Sequence, residues 1–248
     1  MNLFVMAYLL RVAGAEEVSI VSARTLYQQA MSTENIVEQQ KIATQSLDIY
    51  KTVLLEGKDS SWTSHPHVWV DMGNVALMTK DIGYASFAYH TATQLDPSLP
   101  SAKQNLRWIE GQYLPEWSVT QKNSMWDTVF FWKGWLPTIG SIAVSTLLLA
   151  MALFVPKRFV LWRQIALVGW LVLWIGVLVD LFAPQKCVVI TDNAMLRSAD
   201  QVSAPLVHTE ALPPGISMEI LQQQDIWTQV RLASGEKGWV SSTAVLAL

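Results

Sequence analysis

Cys187 is the sole thiol in the chain and precedes Val188-Val189-Ile190, a β-prone run. Nucleophilic cysteine chemistry needs a thiolate beside a histidine. The place of Cys187 at the end of a long apolar stretch argues against that arrangement. A small apolar strand residue is expected there, with a reactive or intermolecular thiol as the alternative. A lone cysteine excludes an intrachain disulfide and a cysteine-based zinc site. The histidines are His65, His67, His90 and His208. His65-Pro66-His67 sets two imidazoles close together, but no third ligand stands near them. No glycine-rich phosphate-binding loop occurs. These residues give neither a catalytic set nor a metal or cofactor site, so the expectation is a binding protein and not an enzyme.

The elements that would carry binding residues start from composition. The chain has 248 residues, of which 51% are hydrophobic and 15% charged. Soluble proteins carry roughly a quarter charged residues. The net charge of −3 offers no basic surface for nucleic acid. The apolar excess lies between Gly134 and Ala183. Residues 134–155 and 161–183 are each long enough to predict a membrane-spanning helix. Arg163 and Asp180 sit near the ends of the second, where long side chains reach the interface. Trp126, Trp132, Trp135 and Trp162 flank the stretches, as interfacial indoles do. The turn at 156–160 holds Lys157 and Arg158, with Arg163 close behind, so it is expected in the cytoplasm. Both polar regions are then expected outside it. Residues 1–15 carry an apolar run ending Ala13-Gly14-Ala15, which predicts a signal peptide. A short apolar helix packed on the following domain is the alternative.

From Pro66 onward Trp69, Met72, Gly73, Ala85, Tyr89, Ala92 and Pro97 fall in order within a ~34-residue frame. This resembles the tetratricopeptide (TPR) pattern. Gly73 and Ala85 are small where two antiparallel helices cross closely. Tyr89 fills the gap, and Pro97 ends the second helix. A weaker copy precedes it, with Ala23, Leu26, Tyr27 and Ala30 on one helix and Ser46, Tyr50 and Val53 on the next. Residues 100–113 predict a further helix that caps the stack. The TPR domain is thus expected over 16–113, followed by a linker over 114–133. In peptide-binding TPRs, asparagines at two set positions contact the ligand backbone; Asn74 and Asn105 occupy them here. The basic residue of a carboxylate clamp is replaced by Val70. The alternative for both asparagines is an inter-helix hydrogen bond.

From Cys187 the pattern changes to short β-prone runs: 188–190, 195–198, 217–222, 227–232 and 238–240. Asp192-Asn193, Pro213-Pro214-Gly215 and Ala233-Ser234-Gly235 mark turns. Such runs suggest a small barrel. Leu-Arg-Ser at 196–198, the Leu-Pro-Pro-Gly loop, Trp227 and Gly238-Trp239-Val240 resemble the bacterial SH3 domain over 187–248. Such modules bind peptides or cell-wall glycopeptide. Trp227 is a candidate groove residue, with barrel packing as the alternative, and Trp239 is expected to close the barrel end.

The fold expected from sequence is therefore a multidomain membrane protein. It has all-α TPR hairpins, a two-helix transmembrane anchor and an all-β SH3-like small barrel. Gly73-Asn74-Val75-Ala76, the run Ala92 to Pro97 followed by Ala102-Lys103-Gln104-Asn105-Leu106, two apolar segments and the C-terminal module together resemble the BatE group of the Bat aerotolerance family. The resemblance implies a scaffold in an envelope complex linked to stress tolerance. It implies von Willebrand A-domain membrane proteins as partners and, indirectly, a MoxR-type ATPase. The localisation expected is the bacterial inner membrane, multi-pass, with both soluble domains in the periplasm. The alternative function is a peptidoglycan-binding anchor acting through the SH3-like module.

Overall fold

The structure is a computed structural model that describes residues 19–57, 61–114, 117, 138–154, 159–181, 185–191 and 194–248. The expected signal peptide at 1–15 lies outside the described residues. So do most of the 114–133 linker, Trp126, Trp132, Trp135, the turn cations Lys157 and Arg158, and Asp192-Asn193.

Local chemistry sets the helix boundaries. Helix α1 covers 19–32. Asn35 opens α2 (Ile36–Lys51), its side chain accepting from the amides of Val37 and Glu38. Pro66 and Pro100 stand in the first turns of α3 (Pro66–Met78) and α5 (Pro100–Tyr113), where a missing N–H costs nothing. Asp81 caps α4 (Ile82–Leu95) through the Tyr84 amide. Pro97 follows the end of α4, as expected. A π-helical turn at Thr52–Glu56 and a 3-10 turn at Ser61–Ser64 lengthen the connection between hairpins.

The hairpins close on small residues. Gly73 on α3 admits the Tyr89 ring of α4, since a Cβ there would stand 2.6 Å from Tyr89 Cε1. Trp69, Ala85, Tyr89 and Ala92 are all in the helical core. The indole of Trp69 donates to the carbonyl of Thr63 and meets Phe87 edge-on. In the first hairpin the buried Ser46 hydroxyl donates to the Ala23 carbonyl at 2.7 Å.

The C-terminal part forms one antiparallel sheet in the order β4-β3-β2-β1-β5. Its strands are β1 (Lys186–Val189), β2 (Ser217–Gln224), β3 (Trp227–Arg231), β4 (Lys237–Ser241) and β5 (Val245–Ala247). The expected strand at 195–198 is absent; Arg197 makes only isolated bridges to Leu206 and Trp239. The fifth strand is instead the C-terminal run Val245–Ala247, which pairs with β1.

Two findings overturn the expected multidomain plan. The first is that the helical hairpins and the sheet belong to one compact unit, Met1–Val119 with Gln185–Leu248. The body is thus mixed helical and antiparallel β, and not an all-α domain beside a separate all-β barrel. Val188 of β1 is buried in the helical core, and Leu246 and Leu248 pack against it. The buried Ser86 hydroxyl of α4 donates to the Gly215 carbonyl at 2.8 Å. Gly83 of α4 lies so close to the sheet that a Cβ would stand 2.6 Å from Ile190 Cα. These are interior contacts, close-packed and polar-satisfied.

The second finding concerns the inserted unit, Thr120–Pro184. Its described helices are α6 (Thr138–Phe154) and α7 (Val160–Leu181), which pack together. Among the described residues they are not clearly the expected two-helix transmembrane anchor. Among the described residues only Val160–Leu178, 19 residues with mean hydropathy 1.7, is long and apolar enough to cross a membrane. Leu161, Val168 and Leu171 on α7 are exposed, while Ala166 and Ser145 are buried.

Candidate functional site

The first helices of successive hairpins, α1, α3 and α5, meet through a row of polar side chains. Arg24 on α1 donates from Nε and Nη2 to Asp71 Oδ2 on α3, at 2.9 and 2.6 Å. Asn105 Nδ2 on α5 donates to Asn74 Oδ1 on α3 at 3.1 Å. The Tyr89 hydroxyl reaches across from α4 and donates to the same oxygen at 2.7 Å. Burial raises the pKa of that hydroxyl, with the hydrogen bond to Asn105 opposing. It therefore stays protonated and remains a donor. Tyr50 on α2 holds the matching place beside Arg24 and Asp71. Its hydroxyl is buried and makes no aligned hydrogen bond. Burial raises its pKa, the Asp71 charge adding to the rise and Arg24 opposing it.

Arg24 and Tyr27, Asp71 and Asn74, and Asn105 and Trp108 each stand three residues apart, so each pair shares a helix face. Half-buried Tyr27 has its hydroxyl pKa raised by burial and by the Asp71 charge, with Asn74 opposing. Trp108 is 51% exposed and meets Tyr113 edge-on. The structure thus brings Asn74 and Asn105 together, and they bond to each other across helices. Val70 does not join them; it is 8% exposed and packs in the helical core. Sequence reasoning missed Arg24 and Asp71. The signal available was the three-residue spacing of Arg24 and Tyr27, Asp71 and Asn74, and Asn105 and Trp108 on these helices.

The sheet offers a second face. Side chains alternate along a strand, and directly paired residues share a face. Register places Gln222, Gln229 and Trp239 in one row across β2, β3 and β4, and Gln224, Trp227 and Ser241 in the next. Glu219, Arg231 and Lys237 form a charged row beside them, in which Arg231 Nη1 meets Glu219 Oε2 at 3.0 Å. The opposite face carries Met218, Val230 and Val240, all in the sheet core. Trp227 and Trp239 are half-buried, yet neither packs against the helical or the sheet core. The barrel-packing alternative for Trp227 and the barrel-closing role of Trp239 both give way: each indole lies on the outward face. A bulge at Leu221, between paired Ile220 and Gln222, keeps Gln222 and Gln224 on the outward face.

The residues first considered for chemistry are dispersed. His65 packs against Trp62. His90 lies near Lys186, and its pKa falls to about 4, chiefly by desolvation and secondarily by that cation. His208 Nε2 lies 3.0 Å from Glu236 Oε2, and Trp117 meets its ring edge-on. Among the described residues no group of three or more histidine, cysteine and acidic side chains converges on a point. Cys187 is fully buried, and burial pushes its thiol up to about 12. That is a packed strand residue and not a nucleophile.

Comparison with family models, with curated proteins and with solved structures finds no match for this chain.

Proposed function

We propose that this protein is a membrane-held interaction scaffold of a Bat-type envelope complex, with its mixed helical and β body in the periplasm. The observation that carries the reading is the inserted unit. Its helix α7 exposes leucine, valine and isoleucine side chains along one broad face, a surface suited to lipid tails and costly in water. The residues before and after that unit belong to one body. The periplasmic placement of the body is taken from the sequence resemblance.

Binding is assigned to the row along α1, α3 and α5. Asn74 and Asn105 hold its geometry through their mutual bond, while Tyr27 and Trp108 present surface to a partner. Partners of the von Willebrand A type, and through them a MoxR-type ATPase, follow from the sequence resemblance. The test is mild detergent extraction of tagged protein from native membranes, then co-purification and mass spectrometry. Recovery of von Willebrand A-type membrane proteins, lost in Trp108→Ala, supports the scaffold. Recovery of no membrane protein in either form removes it.

A second reading is favoured by the outward tryptophans of the sheet. Trp227 and Trp239 stand clear of both cores, as expected of a face that holds cell-wall material. The body would then anchor the protein to peptidoglycan.

A further inference from the structure

We propose that the outward face of β2, β3 and β4 is a glycan-binding platform, with Trp227, Trp239, Gln229 and Gln222 making the contacts. The inference rests on the wall-anchoring reading and commits it to the sugar chain instead of the peptide.

Placement comes first. Large aromatic side chains on a small sheet normally fill its core, because that is where their area stabilises most. Here Met218, Val230 and Val240 fill that core, and both indoles lie on the other face. The two are diagonal neighbours across β3 and β4, since Trp227 pairs with Ser241 and Trp239 with Gln229. Their rings are not in contact with each other, so each keeps its own surface for a ligand.

Hydrogen-bonding capacity comes second. Among the described residues, no protein partner accepts from either indole N–H or bonds to the Gln229 amide. Gln222 Nε2 reaches only Gln224 Oε1, at a long 3.4 Å. An amide offers two donors and an acceptor in one plane, and an indole one donor beside an apolar face. A pyranose has the complementary surface: C–H groups on a flat side and hydroxyl or acetamido groups around the edge.

Charge and backbone access select against a peptide. The rows that carry the tryptophans hold no charged residue, which suits an uncharged chain over an acidic or basic segment. Extended peptides are commonly captured by adding a strand to a sheet edge. At the β4 edge that position is taken. Trp239 N–H donates to the Arg197 carbonyl at 2.7 Å, and Arg197 N–H donates to the Trp239 carbonyl at 2.8 Å. Recognition on this side must use side chains.

The test uses the full chain in phosphatidylcholine nanodiscs, titrated by calorimetry with a hexamer of β-1,4-linked N-acetylglucosamine. A sugar-free wall stem peptide is titrated in parallel. The hexamer is expected to bind, Trp227→Ala to abolish measurable binding, and Gln229→Ala to weaken it about tenfold, as one good hydrogen bond would. Gln45→Ala, at an exposed position on α2, is expected to leave it unchanged. Thermal melts check that each variant is folded; Gln229 is a surface residue whose loss leaves the core intact. Absence of hexamer binding overturns the proposal, as does binding indifferent to Trp227→Ala and Gln229→Ala. Binding of the stem peptide alone overturns the glycan assignment while leaving the wall-anchoring reading in place.

Discussion

Ser86 and Gly215 stand 129 residues apart in the chain, yet the hydroxyl of one donates to the carbonyl of the other at 2.8 Å inside the protein. Gly83, one helical turn earlier, lets the Ile190 backbone approach the same helix. This pairing joins a helix that precedes the inserted apolar unit to a sheet that follows it. The body is expected to unfold as one. Ser86→Ala leaves a buried carbonyl unpaired and should cost about 1–3 kcal/mol. Gly83→Val, which forces a branched side chain into the Ile190 backbone, should cost more. The check is thermal unfolding followed separately by helix and by tryptophan signals. The two signals are expected to move together in the parent and in Ser86→Ala; a sheet that melts apart from the helices in the parent would refute the joint body.

Gly73 faces the Tyr89 ring at a distance no side chain can share. Gly73→Ala gains about 1 kcal/mol in helix propensity but overpacks the crossing, with a cost of about 1–3 kcal/mol. A net loss of stability is expected. The same substitution in a Tyr89→Leu background, where the ring is gone, should cost less or stabilise. A double-mutant cycle in denaturant measures that coupling. Equal effects in both backgrounds would show that the ring is not what excludes a side chain at residue 73.

His90 supplies a pH dependence with a definite sign. Its pKa in the folded protein is lowered to about 4 by desolvation, with Lys186 adding to the effect. An unfolded histidine titrates near 6.5. Above pH ~6.5 the neutral ring is carried without penalty. As pH falls from about 6.5 toward 4, the unfolded state binds a proton that the folded state refuses, and stability declines. The midpoint of denaturant unfolding should drop through that window. His90→Gln, which cannot take up the proton, should flatten the profile between those limits. An unchanged slope in the variant would show that other groups set it.

Cys187 is buried, with its thiol pushed up to about 12. Its thiolate fraction near neutral pH is lower than that of an ordinary thiol by about three orders of magnitude. Labelling by a disulfide reagent is expected to be negligible in the native protein and complete within minutes in denaturant. Rapid native labelling would place the residue at the surface and reopen the reactive-thiol reading.

Much of the helical layer was legible in order of residues. Trp69, Gly73, Ala85, Tyr89 and Ala92 specify a close helix crossing because only small residues admit it and only a large one fills it. Pro66, Asn35 and Asp81 mark helix starts by their capping chemistry alone. The strands β2, β3 and β4 were equally plain, since alternation and turn residues are local signals. The sequence also placed Trp227 among the residues of interest, though it left open which way the indole faces.

Tertiary structure decided the rest. Whether 195–198 or 245–247 completes the sheet depends on which segment finds a partner strand, and pairing energy is not written in either segment alone. The outward direction of Trp227 and Trp239 follows from register, in which a shift of one residue would send both into the core. That Asn74 bonds Asn105 and Tyr89 rather than standing free follows from three helices converging. The largest surprise, one body where two domains were expected, rests on Ser86, Gly83 and Val188 meeting residues far along the chain. Such contacts are non-local: each partner looks ordinary in its own segment, and only their packing shows that the apolar unit at Thr120–Pro184 is an insertion into a single fold.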